Sequence, residues 1–365
     1  MTKMMKLIKT KMKIISILLP AVLLAGSGVG CGMASDAERA YSYNGPAIGY
    51  TVEKEVTTEV DVEKQSSISI EAQDGVITIT PWDGEDLQII EKRKLKGPAK
   101  KESLEKLLDE KKYQVDRTSF DITLKKETEE DLKPPFRRTD DIQLKVPDTI
   151  RSFKIKAGSG TISLSGMDNL STVNLTLERG NIIIDRSSIN KIIADIGNGD
   201  IDIMEVKGSG EFECGRGNIQ LKDVTGAVKL KSIEGETIIE DLEGKLDCDV
   251  SAGSITVRDS RLKAESRLYA SYGNMKVDLE GVESEGRYVL KAAKGNIRLN
   301  MPGETGWSLL AKSTYGRIVN KLEQTSDELE EAPSGELYGD VDGGGSTIDV
   351  YVDRGNIYLE RAKDS

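Results

Sequence analysis

A glycine-centred unit recurs along most of the chain and restricts the fold more than any other feature of the sequence. Most copies read glycine, any residue, an apolar residue, any residue and a second apolar residue; Thr237 and Asn320 are the polar exceptions. Copies up to Gly316 lie 18 to 22 residues apart, an early copy begins at Gly75, and one more follows an insertion. The predicted corner glycines are Gly160, Gly180, Gly199, Gly217, Gly235, Gly253, Gly273, Gly295, Gly316 and Gly355. Self-similarity at such a period is typical of repeat architectures.

Two columns of the repeat are apolar, and the column beside one of them is polar. The position five residues before the glycine is apolar in every copy, and the position two residues after it is mostly isoleucine. The position four residues before the glycine holds no aliphatic residue. This alternation predicts two short strands per unit, whose side chains point inward and outward by turns. Three units share a second corner glycine, at Gly208, Gly226 and Gly244.

Two strands and two corners in each unit describe one coil of a β-solenoid, which buries its apolar face against neighbouring coils. We therefore predict an all-β fold, a β-solenoid of about ten coils with two short strands per repeat of 18–22 residues. A sandwich, a hairpin meander and a propeller are the alternatives, although a propeller blade needs four strands in about 40 residues. The corner glycines are expected to adopt positive φ, and the asparagines that follow five of them are expected to tolerate the same corner.

The sequence further predicts how the chain is divided. Exposed strand edges at the end of a solenoid invite aggregation, so one end should carry a cap. Leu104, Leu107 and Leu108 fall on one helical face, which predicts a short helix near residues 99–112 within that cap. The predicted segments are a signal peptide (1–30), a linker (31–50), an N-terminal β-rich capping region (51–150), the solenoid repeats (151–319), an insertion with a short helix and a Gly-rich loop (320–345), and a final coil and tail (346–365).

The N-terminal sequence predicts that the protein is exported from the cytoplasm. Five lysines precede an apolar run over residues 14–25, which is too short to span a bilayer core of about 30 Å. Small residues then lead to Cys31, the pattern of a cleavable secretory signal. This segment resembles the lipobox of bacterial lipoproteins, whose cysteine is lipidated, although Gly28 stands where that family usually has leucine. We expect a lipid anchor at Cys31 on the outer surface of the cell membrane; an ordinary secreted protein and an uncleaved anchor are the alternatives.

Charge and composition exclude several classes of binding partner and of catalytic site. The chain has 51 Lys and Arg against 62 Asp and Glu, a formal net charge of −11, and loss of the five leader lysines would bring it to −16. So acidic a body repels nucleic acid and anionic headgroups, so membrane attachment is expected through the lipid alone. The sequence contains no histidine, which excludes Ser-His-Asp and Cys-His catalysis and imidazole metal sites. No cofactor and no catalytic residue are expected.

Four further residues are candidates for chemistry. Cys214 and Cys248 fall on inward positions of coils two apart, which predicts buried free thiols rather than a disulfide. Asp200 and Asp202 face outward together from one strand and are weak ligand candidates, either as a carboxylate pair or as a calcium corner. Calcium-binding rolls need the aspartate in successive turns, and the next coils lack it, so no metal is expected.

Exposed aromatic residues give a second hint of binding. Tyrosines on outward positions could stack on sugar rings, but along the sequence they are too scattered to predict one platform. They are Tyr269, Tyr272, Tyr315 and Tyr351.

The repeat also carries a family resemblance. The unit GRGNIQLKDVTGAVKL (215–230) and its neighbours, over residues 64–360, resemble the bacterial adhesin-like family, whose members are β-solenoid repeat domains of unknown function in cell-envelope proteins. The resemblance implies a solenoid and supplies no catalytic motif. We predict a non-catalytic, lipid-anchored protein that binds an unknown envelope polymer or protein, or acts as a scaffold. The alternatives are an envelope polysaccharide-active enzyme with a carboxylate-lined groove, and self-association through an uncapped end.

Overall fold

The structure is a computed structural model that describes residues 15–17, 49–110, 113–126, 136–301, 306–322, 329–332 and 335–361. The chain divides into two compact units, residues 1–150 and 151–365, each with its own buried core.

The first unit contains a mixed sheet and one helix. Strand β2 pairs antiparallel with β4 and β4 with β7, whereas β3 pairs parallel with β6 through its first half and with β7 through its second half. Gly75 lies between the two halves of β3, so the early copy of the repeat also turns a corner there. The elements are β1 (Ile15–Ile17), β2 (Tyr50–Val60), β3 (Ser67–Pro81), β4 (Leu87–Gly97), α1 (Lys101–Glu110), β5 (Tyr113–Arg117), β6 (Asp121–Lys126) and β7 (Arg137–Val146).

Helix α1 covers one side of this sheet. Leu104 and Leu108 are four residues apart and therefore lie on one helical face. Both are fully buried in a cluster with Val52 of β2 and Leu95 of β4. The apolar face seen in the sequence thus packs on the sheet.

Two buried ion pairs lie on the inward-facing positions of β4 and β7. Arg93 donates to Glu91 at 2.5 Å, and Arg138 donates to Asp140 at 2.8 Å, with all four residues no more than 9% exposed. Burial raises the pKa of Glu91, and the Arg93 guanidinium opposes that rise. The hydroxyl of Tyr113 is buried beside them, and burial together with the two carboxylates raises its pKa. Each charge is tolerated there only because its partner is present.

The second unit consists of the regular repeats. Its strands are β8 (Ser152–Ser165), β9 (Leu170–Arg216), β10 (Ile219–Thr225), β11 (Val228–Glu234), β12 (Thr237–Gly244), β13 (Leu246–Ala252), β14 (Ile255–Leu262), β15 (Arg267–Tyr272), β16 (Met275–Val282), β17 (Arg287–Lys294), β18 (Ile297–Met301), β19 (Trp307–Tyr315), β20 (Ile318–Lys321), β21 (Glu330–Ala332), β22 (Glu336–Val341), β23 (Ser346–Arg354) and β24 (Ile357–Arg361).

These strands form two parallel ladders, one on each side of the corner glycines. One ladder runs β10, β12, β14, β16, β18, and the other runs β11, β13, β15, β17. Both apolar columns point inward: Leu230, five residues before Gly235, is 1% exposed, and Ile219, two residues after Gly217, is fully buried. The predicted β-solenoid with two strands per repeat is therefore confirmed.

The order of the last coils corrects the sequence prediction, which treated residues 346–365 as the final coil of the stack. Strand β23 pairs parallel with both β17 and β19, and β24 pairs parallel with both β18 and β20. The coil of Gly355 therefore lies between the coils of Gly295 and Gly316. The chain completes the Gly316 coil first, then returns and inserts the Gly355 coil beneath it.

The insertion over 320–345 also differs from the prediction. The short helix expected there is replaced, in its described part, by strand: β21 pairs antiparallel with β22, and β22 pairs antiparallel with β19. The remainder, residues 323–328, lies outside the described residues. An antiparallel hairpin satisfies the backbone groups on the outer edge of β19, which a helix in this place could not do.

The glycine column brings the coils into close contact. A Cβ on Gly235 would lie 1.8 Å from the carbonyl oxygen of Gly217, one coil earlier, and Gly235 has φ +139°. The same approach recurs along the column and follows the corrected coil order, because a Cβ on Gly316 would meet the carbonyl oxygen of Gly355. Gly316 is the one glycine of this column without positive φ, and Gly244 is the one second-corner glycine without it. Only glycine fits a corner with both a left-handed backbone and a neighbour this close.

A further bend, which the sequence reading missed, lies six residues after the glycine. Residues with φ between 44° and 53° occupy this position in five successive coils, and the last four are acidic. They are Arg186, Glu205, Asp223, Asp241 and Asp259. Desolvation and the carboxylates one coil to either side raise the pKa of Asp241. The bend column is therefore an acidic stripe whose members repel one another.

Candidate functional site

Of the two carboxylates singled out in the sequence, Asp200 has a structural role. Asp200 Oδ1 accepts the backbone N–H of Asn218 at 2.7 Å, so this carboxylate joins one coil to the next. Burial, and after it the charge of Asp200, raises the pKa of Asp202. Among the residues that the structure describes, no three His, Cys, Asp or Glu side chains are arranged to hold a metal ion.

Asp200 belongs to a ladder of side chains directly after the corner glycines. Asn218 in turn accepts the N–H of Glu236 at 3.0 Å, and farther along Asn274 and Asn296 do the same for the next coil at 2.9 Å. The asparagines were expected to tolerate positive φ, but none of the five has it. They are selected instead because a side-chain oxygen can satisfy the orphan N–H of the next corner.

The two cysteines in the described residues are free and buried. Burial raises the pKa of Cys214 to about 11 and raises that of Cys248 as well. Their thiols are therefore protonated at neutral pH and are poor nucleophiles.

The predicted lipid site Cys31 lies outside the described residues, so the anchor stays a prediction. In the part of the chain that is described, no helix is both long and apolar enough to cross a membrane.

The structure gathers the scattered tyrosines on the outer face of β15, β17, β23 and β19. Two columns of outward-facing side chains run across these four strands, each beginning with a tyrosine and continuing with a cation; all but the half-buried Tyr351 are exposed. The first column, four residues before the glycine, holds Tyr269, Lys291, Tyr351 and Lys312 in register. The second, directly before the glycine, holds Tyr272, Lys294, Arg354 and Tyr315.

Small side chains lie between the two columns. The position two residues before the glycine holds, in stacking order, Ser271, Ala293, Asp353 and Thr314. The first column lines a shallow groove of about 210 Å³ together with Ala293, Asp353 and Thr314, and the second column lies outside that volume. We call the two columns and the small residues between them the tyrosine–lysine groove. The columns stand three residues apart along the strand, or about 10 Å.

Cations and aromatic rings are paired within the groove. Lys291 Nζ lies 5.2 Å from the ring centre of Tyr351, and Lys294 Nζ lies 5.0 Å from that of Tyr272. Both distances are within the range of cation–π contacts. Tyr269, Tyr272 and Tyr315 remain 40%, 59% and 69% exposed. The groove therefore presents cationic and aromatic groups to solvent at once.

Coil order explains why the sequence reading missed this site. In chain order the first column reads Tyr269, Lys291, Lys312, Tyr351, which puts Tyr351 at the far end beyond the insertion. Insertion of the Gly355 coil moves Tyr351 between the two lysines and brings Arg354 next to Lys294. The sequence repeat identifies the residues of the column, but it does not give the order in which their coils stack.

Comparison with known families agrees with this architecture. The family model described as Toastrack DUF4097 matches residues 65–360, most of the chain. The chain belongs to the Toastrack DUF4097 family. This confirms the resemblance drawn from the repeat, and the Toastrack match includes every corner glycine from Gly75 to Gly355.

Two solved structures resemble this Toastrack chain at low identity. One is a putative cell adhesion protein from Clostridium sporogenes, with 11% identity over 85% of this chain and 100% of that chain, and a TM-score of 0.21. The other is a putative adhesin from Bacteroides fragilis, with 12% identity over 84% of this chain and 97% of that chain, and a TM-score of 0.30. No curated protein matches the chain.

Proposed function

We propose that this protein is a non-catalytic binding protein of the bacterial envelope, anchored by a lipid at Cys31 and exposed outside the cytoplasmic membrane. The tyrosine–lysine groove is its binding surface. The anchor rests on the leader: a basic stretch, a short apolar run, and small residues that end at a cysteine. A tethered solenoid would hold the groove close to envelope polymers without crossing the membrane.

The observation that carries the binding function is the composition of the groove. It concentrates four tyrosines and four cations on four adjacent strands of a chain whose net charge is −11. An exposed set of this kind has no role in burying the core, because its side chains point away from it. Aromatic and cationic side chains are those that binding surfaces favour.

Two measurements test the proposal. Radiolabelled palmitate should enter the full chain expressed in bacteria and should be lost in Cys31→Ser; unchanged labelling of the variant would reject the anchor. The detergent-solubilised chain should be retained on isolated envelope material, and Tyr269→Ala with Lys291→Gln should reduce retention. Tyr50→Ala is the matched control, because Tyr50 is an exposed tyrosine (52%) of the other unit. Equal loss in the control would reject the groove as the binding surface.

A further inference from the structure

We infer that the tyrosine–lysine groove binds an anionic glycan whose chain lies across the strands, along the direction in which the coils stack. The inference rests on the proposed function, since it names the ligand of the same groove. Four features of the groove support it: two lysines without carboxylate partners, exposed rings, the spacing of the rings and the small residues between the columns.

Two of the four cations of the groove, Lys291 and Lys294, are available to a ligand. Among the described residues, Lys291 and Lys294 form no ion pair with a carboxylate, and the amino group of each lies over a tyrosine ring. Arg354 reaches Asp353 only at 4.0 Å, whereas Lys312 pairs with Glu336. Two lysines without a carboxylate partner, on so acidic a protein, would attract an anionic ligand to this face.

The tyrosines indicate that the anion is a sugar polymer. An aromatic ring offers a flat apolar surface with a polar tip, which suits the apolar face and the hydroxyl groups of a pyranose ring. A simple phosphate or carboxylate ion would need the cations only. The rings alternate with cations along the first column, so a polymer with a carboxylate on its sugar rings would meet both kinds of group in turn.

The spacing of the column fits such a polymer. Tyr269 and Tyr351 are separated by the strand of Lys291, so they stand about 9.6 Å apart, two strand spacings. This is comparable to the length of a disaccharide unit, so alternate sugar rings can meet successive tyrosines while the ring between them meets Lys291. Ser271, Ala293 and Thr314 leave room for the chain between the two columns. The fourth residue at this position, Asp353, carries a negative charge, which Arg354 faces at 4.0 Å.

The test measures binding of the full chain in detergent to three probes: oligogalacturonate, neutral dextran and poly-glutamate. Oligogalacturonate should bind, more weakly as salt rises from about 0.01 M to about 0.15 M, and the other two should not. Tyr269→Ala and Lys291→Gln should each weaken binding about tenfold. The controls are Tyr50→Ala and Lys229→Gln; Lys229 is an exposed outward lysine of β11, outside the groove.

The outcomes separate the inference from the proposed function. Equal binding of poly-glutamate would overturn the inference in favour of an acidic-peptide site, and equal binding of dextran would overturn the role of charge. Failure of all three probes, while the chain still binds envelope material through the groove, would overturn the ligand class and leave the proposed function standing. Loss of both kinds of binding would overturn both.

Discussion

Replacing Gly235 by alanine should destabilise the solenoid strongly. Gly235 has φ +139°, a backbone conformation that costs other residues about 1–3 kcal/mol. Its new Cβ would lie 1.8 Å from the carbonyl oxygen of Gly217 and must retreat to beyond 3.0 Å. That shift disturbs two hydrogen bonds, from Gly217 N–H to Glu234 and from Gly235 N–H to Ala252, each worth about 1 kcal/mol. We expect a total loss of about 3–5 kcal/mol.

Two other glycines separate the conformational cost of positive φ from the cost of the close contact. Gly343 has φ +86° but open space around it, so Gly343→Ala should cost only the conformational term, about 1–2 kcal/mol. Gly281 has neither positive φ nor a neighbour within 4 Å, so Gly281→Ala should change the free energy of unfolding by less than about 0.5 kcal/mol. Urea unfolding followed by far-ultraviolet circular dichroism measures all three. If Gly235→Ala unfolds at the same urea concentration as Gly281→Ala, the close-packed corner is wrong.

Three further substitutions or treatments test other parts of the structure. Arg93→Met should destabilise by about 3–5 kcal/mol in thermal unfolding, because it leaves Glu91 buried without its partner, and Glu91→Leu in the same chain should restore much of the loss. Cys214 and Cys248 should resist iodoacetamide at pH 8 and react only in urea, as read by peptide mass spectrometry; rapid native labelling would contradict their burial. Asp241→Asn should raise stability by up to about 0.5 kcal/mol at neutral pH and low salt. The pKa of the Asp241 carboxyl is raised in the folded state, so this group stabilises the fold when protonated and that stabilisation is lost as pH rises. Asparagine carries no charge at any pH and therefore keeps the stabilisation. A loss of stability in Asp241→Asn would refute the repulsion.

Much of the architecture could be predicted because each coil repeats the same burial pattern. Leu230 and Ile219 lie inward as the columns required, since a one-residue slip would turn every apolar side chain to solvent. The buried pair at Glu91 and Arg93 also follows that alternation, because both occupy the positions that Leu87 and Leu95 occupy farther along β4. The alternation along a strand thus predicts which side chains point inward, even where a charged residue type suggests exposure.

The coil order could not be predicted from the same pattern. Because every coil presents nearly the same ladder and the same apolar columns, the repeat of Gly355 fits equally well beside several neighbours. Its place is decided by the β21–β22 hairpin, which occupies the outer edge of β19 and leaves the space beneath that strand for β23. The tyrosine–lysine groove depends on this order, so it was hidden for the same reason.

The most direct test of the account is therefore a pair of engineered disulfides in the floor of the groove. Ala293 and Asp353 lie on adjacent strands, about 4.8 Å apart, whereas Ala293 and Thr314 lie two strands apart, about 9.6 Å, beyond the roughly 7 Å limit for a bridge. After mild oxidation, Ala293→Cys with Asp353→Cys should form the bridge, and Ala293→Cys with Thr314→Cys should stay reduced, as peptide mass spectrometry would show. The reverse result would place the coils in chain order and contradict both the fold of this end and the groove built on it.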